Sequence, residues 1–253
     1  MSFSLRLVLI HGFTERPSMW DELISELDDS TIAVSTPSLP GHGNHPALSV
    51  DRTAAAYSSA IIKQIPDDGL PWIVIGHSMG GYLASSVVQL AGERIAALGF
   101  FHSKAGSDNA RKIEDRRRAI EAAAQNRELY LSTMLRNTLA ENNIESFQQS
   151  LQQMIDAAKK DISVDCIVAS HEVMIERPDN IEFLKHVDFP VFYFAGSDDK
   201  SIPLNLLREE WEKLPAARIT IAEDTGHMGH IEAKGAATQW LKDICTDVRV
   251  GMD

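Results

Sequence analysis

One serine is placed where a hydroxyl can become a nucleophile. The run "WIVIGHSMGG" (Trp72 to Gly81) reads as a buried strand that stops abruptly. Ser78 follows, with Gly76 and Gly80 two residues to either side. At a sharp strand-to-helix turn, side chains at those two flanking positions would collide with neighbouring backbone. Glycine removes the collision and leaves the hydroxyl projecting, which is the nucleophile-elbow pattern G-x-S-x-G. The helix that begins near Met79 also supplies unpaired N–H groups and a partial positive charge beside the serine.

A serine hydroxyl attacks poorly at neutral pH, so it needs a base, and the base needs an acid to orient it. Of the nine histidines, His227 is the one in "AEDTGHMGH", directly after the strand-like "ARITIA". His230, three residues on, is its competitor; Gly226 favours His227 by freeing the turn. For the acid, "SDDKSIP" follows the strand-like "VFYFAG" and offers Asp198 and Asp199. Serine, aspartate and histidine then occur in the chain order Ser, Asp, His. The oxyanion formed by attack on a carbonyl needs two N–H donors. Met79, after the nucleophile, is one; Phe13, in "HGF" after "LVLI", is the other.

These residues must be gathered by the elements that carry them. "LRLVLI", "TIAVSTP", "WIVIG" and "IAALGFF" read as strands. They alternate with helical patterns over about 16–27, 50–65 and 79–91. Such alternation predicts an α/β fold with a mostly parallel sheet covered by helices on both faces. From Ser103 to Asp179 the chain turns polar and helix-like, then "VFYFAG" and "ARITIA" restore the strand pattern. A helix near 204–213 separates these two strands, and one over about 235–244 closes the chain. The expected organisation is a core of residues 1–102 and 180–253, with residues 103–179 inserted between two strands of one sheet.

The chain resembles the α/β-hydrolase fold superfamily, in its lid-bearing branch of small esterases, cofactor-free haloperoxidase-like proteins and carbon–carbon bond hydrolases. The resemblance runs through "LVLIHGF", "PGHG", "GHSMGG", "PVFYFAGSDDKSIP" and "TGHMGHIE". It implies that the acid is Asp199 rather than Asp198, three residues after Gly196 and four before Pro203. It likewise supports His227 after a glycine. It implies that the insertion is a helical lid, and that an extra hairpin often found before the first strand is absent. Serine rather than aspartate at position 78 separates the chain from haloalkane dehalogenases. Substrate-pocket candidates are His102 at the end of "LGFF", and His171 and Met174 in the insertion. Three consecutive arginines, Arg116 to Arg118, are either a solvated helix face or include one turned inward to pair with a substrate carboxylate.

Length and composition bound the rest. At 253 residues the chain buries enough surface to fold without staples. A net charge of −12 disfavours nucleic acid and anionic membranes as partners. Cys166 and Cys245 form no metal-binding spacing and no disulfide framework, which fits a reducing cytoplasm. The expected partner is a small-molecule substrate, with self-association as a homodimer left open, and no metal or organic cofactor is implied. The expected activity is hydrolysis of a small ester through an acyl-enzyme. Two alternatives stand beside it. One keeps the triad for carbon–carbon bond hydrolysis, a lyase or synthase step on a small carboxylate, or perhydrolysis. The other is non-enzymatic binding of a small ligand.

Overall fold

In a computed structural model of the protein, residues 4–47 and 51–252 are described. Among them six strands form one sheet in the order β2-β1-β3-β4-β5-β6. The strands are β1 (Leu5–Ile10), β2 (Ile32–Ser35), β3 (Trp72–His77), β4 (Ile95–Phe101), β5 (Val191–Gly196) and β6 (Arg218–Ala222). Every neighbouring pair is parallel. The sheet is therefore wholly rather than mostly parallel.

Parallel strands need crossovers, and helices supply them. In chain order they are α1 (Asp21–Leu27), α2 (Ala54–Ile62), α3 (Met79–Ala91), α4 (Ala110–Gln125), α5 (Arg127–Arg136), α6 (Gln148–Asp161), α7 (Val164–Glu176), α8 (Ile181–Leu184), α9 (Leu204–Trp211), α10 (Gly229–Glu232) and α11 (Lys234–Met252). Of the helix expected over 50–65, Val50 lies outside the described residues. The helix itself starts at Ala54, because the Thr53 hydroxyl accepts the Ala56 N–H at 3.2 Å and caps it. The last helix runs well past 244. Its buried stripe continues through Leu241, Ile244, Cys245 and Val248, so packing extends it.

Alternate strand residues feed two separate cores. Val8, Ile10, Val74, Leu98, Phe100 and Tyr193 pack against α2, α3 and α9. Leu7, Leu9, Ile73, Ile75, Phe101 and Phe194 pack against α1 and α11. Both faces are covered, which explains the apolar runs of β3 and β5 and the one in β1 beyond Arg6. The helices between β4 and β5 hold a third cluster around Leu131, Leu135, Leu151 and Ile167, which also takes in Met228 from beyond β6. Both cysteines are buried free thiols, and burial pushes each up to about 11.

Register aligns the strand ends. Ile10 lies beside Gly76, His77 beside Phe101, Phe101 beside Phe194, and Gly196 beside Ala222. The loops leaving β1, β3, β4, β5 and β6 thus emerge along one edge, where ligands bind in open parallel sheets. Phe101 anchors that edge. Its ring is fully buried, stacked on Phe194 at 4.9 Å and packed against Trp20 and Trp240. Phe101→Ala is expected to cost about 3–5 kcal/mol of unfolding free energy, read as a lower urea midpoint at unchanged slope.

Candidate active site

The turn after β3 is built as the spacing around Ser78 requires. Ser78 has φ +49° and ψ −117°, a conformation that side-chain-bearing residues rarely adopt. A Cβ on Gly76 would lie 2.3 Å from the Gly80 carbonyl, and one on Gly80 2.4 Å from the Ile10 and His11 carbonyl oxygens. Glycine is needed at both places because backbone passes where a side chain would be. The Ser78 N–H donates to the Phe101 carbonyl at 3.1 Å, and the Ser103 hydroxyl donates to the Ser78 carbonyl at 2.7 Å. The strained turn is therefore pinned to the end of β4.

Three side chains from three strand ends meet above it. The Ser78 hydroxyl lies 2.8 Å from His227 Nε2, and His227 Nδ1 lies 2.7 Å from Asp199 Oδ2. The carboxylate can only accept, so His227 Nδ1 carries the proton and Nε2 presents its lone pair to the serine. Asp198, with its neighbour Ser197 as the donor on its carboxylate, takes no part in this chain of bonds. His230 is half-buried near Glu15 and does not reach Ser78; its buried Nδ1 has no partner among the described residues.

Gly226 serves differently from expectation. Its φ lies outside the left-handed region, so it does not free the turn. It admits close approach instead: a Cβ there would sit 2.3 Å from the Ala140 nitrogen. At that contact the His227 N–H donates to the Thr138 carbonyl at 2.6 Å. Glu232 accepts the Ala140 N–H at 2.8 Å and the Asn143 side-chain N–H at 2.9 Å. The histidine loop is thus clamped to the segment after α5.

Asp199 is buried and accepts four hydrogen bonds. Oδ1 takes the Ser201 and Ile202 N–H groups at 2.8 and 2.9 Å. Oδ2 takes His227 and also His102 Nδ1 at 3.1 Å. Burial alone would raise this carboxyl; the two imidazoles more than reverse that and hold it well below the usual carboxylate range. His102 corrects an expectation. It is fully buried and absent from the cavity wall. Its φ of +47° turns the chain at the end of β4 and sends the ring back behind the acid, against Phe101 and Phe194. Burial lowers its pKa to about 4, so it stays neutral with Nε2 unpartnered.

Sequence reasoning missed a second buried pair. Glu15 and His77 approach at 2.8 Å, and His77 Nε2 lies 2.9 Å from the His227 carbonyl. Glu15 also accepts the Gly12 N–H at 2.6 Å. Both partners of His77 are acceptors, so both ring nitrogens must carry protons and the ring is an imidazolium. Burial opposes that charge, but the Glu15 carboxylate outweighs it and raises the His77 pKa. Burial likewise opposes ionisation of Glu15, yet His77 brings it down to about 2. The pair ties the loop after β1 to the serine turn and to the backbone of His227. No signal short of the 62-residue contact itself could have joined them.

These groups open into a cavity of about 390 Å³ lined by Phe13, Ser78, Tyr82, His171, Met174 and His227 among others. His171 and Met174, both from α7, stand in its wall. His171 Nε2 lies 2.8 Å from the Tyr130 hydroxyl. Burial and nearby cations lower its pKa to about 3. The N–H of Met79, first residue of α3, has no intrahelical acceptor. The N–H of Phe13 likewise has no protein acceptor among the described residues. Of the three arginines, Arg116 turns inward and lines the cavity, while Arg117 and Arg118 face solvent and pair with Glu114 and Asp115. Tyr82, four residues beyond Ser78 on α3, was legible from helical spacing alone. The sole cluster of three metal-ligating groups among the described residues is His102, Asp199 and His227. Its imidazoles spend their facing nitrogens as donors to the carboxylate, which leaves no lone pairs there for a metal.

A parallel α/β sheet carrying a strained serine turn, with a histidine and an acid delivered by later loops, defines a hydrolase-type scaffold. A model of the alpha/beta hydrolase family matches residues 7–238, and the chain belongs to that family. Among curated relatives, a pimeloyl-[acyl-carrier protein] methyl ester esterase from Aromatoleum aromaticum is 37% identical over 92 residues, covering 36% of this chain and 34% of that protein. Lipase LipV of Mycobacterium tuberculosis is 31% identical over 43% of this chain and 41% of that protein. The chain thus matches well under half the length of these two relatives. A 2-succinyl-6-hydroxy-2,4-cyclohexadiene-1-carboxylate synthase from Salmonella arizonae is 23% identical over 94% of this chain and 92% of that protein. Among solved structures, a thermophilic esterase from Thermogutta terrifontis superposes with a TM-score of 0.86 at 23% identity, covering 98% of this chain and 92% of that one. No helix among the described residues is long and apolar enough to cross a membrane.

Stability should report the Glu15–His77 pair. Its Glu15 share is present above the ordinary carboxylate range and is lost as pH falls toward about 2. Its His77 share is full below about pH 6.5 and is lost as pH rises through the raised value of the folded state. Glu15→Gln should therefore lower Tm most between about pH 4.5 and 6.5, by a penalty of about 3–5 kcal/mol, with a smaller deficit at pH 9. Thermal melts across that range check this.

Proposed function

We propose that the protein is a serine hydrolase that cleaves small esters through an acyl-enzyme. The observation that carries this reading is the continuous chain from Ser78 Oγ through His227 to Asp199, opening into a cavity. Ser78 attacks the ester carbonyl as His227 Nε2 takes its proton. The N–H groups of Met79 and Phe13 receive the oxyanion. His227 then returns the proton to the leaving alcohol, and the acyl group stays on Ser78. Water repeats the sequence: His227 accepts its proton, the acid is released and Ser78 recovers its hydrogen. Asp199 holds the tautomer and stabilises the transient imidazolium. The helices between β4 and β5 serve as a lid that shapes the pocket. Two curated relatives named as an esterase and a lipase support the ester substrate.

A second reading keeps these residues for a synthase or lyase step on a small carboxylate. The near-full-length similarity to a carboxylate synthase and the inward Arg116 favour it.

A fluorophosphonate probe should label the wild type and fail to label Ser78→Ala; labelling that persists removes Ser78 from the chemistry. In a p-nitrophenyl ester series, a cavity of about 390 Å³ should favour acetate to butyrate over octanoate. Absence of turnover on every chain length would move the assignment to the second reading. Asp199→Asn confronts at least one N–H donor with an amide NH₂, since every bond into the carboxylate is a donor's. Its kcat should fall by about 10³–10⁴, measured on the best ester.

A further inference from the structure

The wall of the cavity formed by α4 carries more positive charge than its neighbours neutralise. Lys112 and Arg116 stand four residues apart, on one side of the helix, and both line the cavity that holds Ser78. Arg116 is buried and pairs through Nε with Asp108. That single carboxylate also pairs with Arg177 at 2.7 Å and lies 3.9 Å from Lys104. Three cations thus share one acid. The Nη1 of Arg116 points at the Met174 sulfur at 2.9 Å, and a thioether is a weak acceptor. Lys112 makes no ion pair among the described residues; its ammonium reaches only the Ser201 carbonyl, at 3.4 Å.

The groups facing this pair do not cancel it. Tyr82 lies under both guanidiniums, with Arg177 3.8 Å and Arg116 5.9 Å from its ring centre, and burial raises its pKa so that it stays neutral. His171 is neutral for the reasons given above. Asp115 also lines the cavity, but its carboxylate is turned to the exposed Arg118. Burial, then Arg116, holds Lys112 below the ordinary ammonium value. In a chain with a net charge of −12, these cations stand in the wall of the cavity that holds Ser78. Desolvated charge without a partner is costly, so such a site is completed by a ligand of opposite sign.

We propose that Lys112 and Arg116 form a carboxylate-binding subsite, so that the substrate is a small ester bearing a free carboxylate, such as a monoester of a short dicarboxylic acid. The subsite rests on the serine-esterase reading for its chemistry but not for its existence. The carboxylate exchanges the Met174 sulfur for an oxygen on Arg116 Nη1 and takes the Lys112 ammonium as its second donor. A guanidinium fork beside a mobile ammonium suits a planar carboxylate. The bound anion then fixes the ester in the half of the cavity nearer Ser78.

The test compares mono-p-nitrophenyl glutarate with p-nitrophenyl butyrate. The charged ester should be preferred in kcat/KM by about tenfold or more, the range of a charge-assisted contact. Lys112→Gln should bring that ratio close to one. It leaves no acid unpaired, whereas Arg116→Gln would disturb the Asp108 cluster. Arg117→Gln, an exposed change of equal charge on the same helix, should keep the wild-type ratio. A wild-type ratio near one, a ratio unmoved by Lys112→Gln, or an equal loss in Arg117→Gln would overturn the subsite. If neither ester turns over, the esterase reading fails and calorimetry still decides the subsite. Glutarate should then bind the wild type and bind Lys112→Gln at least about tenfold more weakly, while neutral dimethyl glutarate shows no such difference. Glutarate binding that is absent, or equal in both proteins, overturns it.

Discussion

The buried carboxylate of Asp199 is the constraint around which the site is arranged. An ionised carboxyl inside a protein must be met by donors, or it protonates. Four donors meet it, from three loops: its own, the end of β4 and the loop beyond β6. Satisfying one charge therefore fixes the relative positions of three strand ends. It also fixes which nitrogen of His227 carries hydrogen, and so leaves the other free to face Ser78. His102 contributes no atom to the cavity, yet it supplies one of those four donors.

The parallel sheet was legible because inner strands such as β3 and β5, buried on both faces, read as apolar runs ended by glycine and alternate with helical patterns. Ser78 was legible because its turn demands glycine at fixed offsets, and the two close backbone approaches are the physical content of that spacing. Family resemblance singled out Asp199 over Asp198, and the bond to His227 falls on Asp199. What stayed hidden depends on distant pairing. Glu15 and His77 carry no local pattern that marks them as partners. Three successive arginines point about 100° apart on a helix, so they cannot share one face. Which of them turns inward is decided by where Tyr82, Asp108 and Met174 lie, and no local rule supplies that. The direction of His102 turns on one left-handed residue at a strand end.

Charge is distributed against the average of the chain. The net charge of the chain is −12, yet the cavity wall carries Lys112 and Arg116 against Asp115. Beneath the cavity the two ionised networks are kept apart in role. Asp199 acts on the side chain of His227, and the Glu15–His77 pair acts on its backbone carbonyl. His227 is thus held from two directions, through its side chain and through its backbone.

The bond from the His227 N–H to the Thr138 carbonyl has a mechanical consequence. The stretch just after α5 cannot swing away as a rigid flap without pulling His227 off the Ser78 hydroxyl. Thr138 and His227 therefore behave as one mechanical unit: displacing the carbonyl displaces the imidazole.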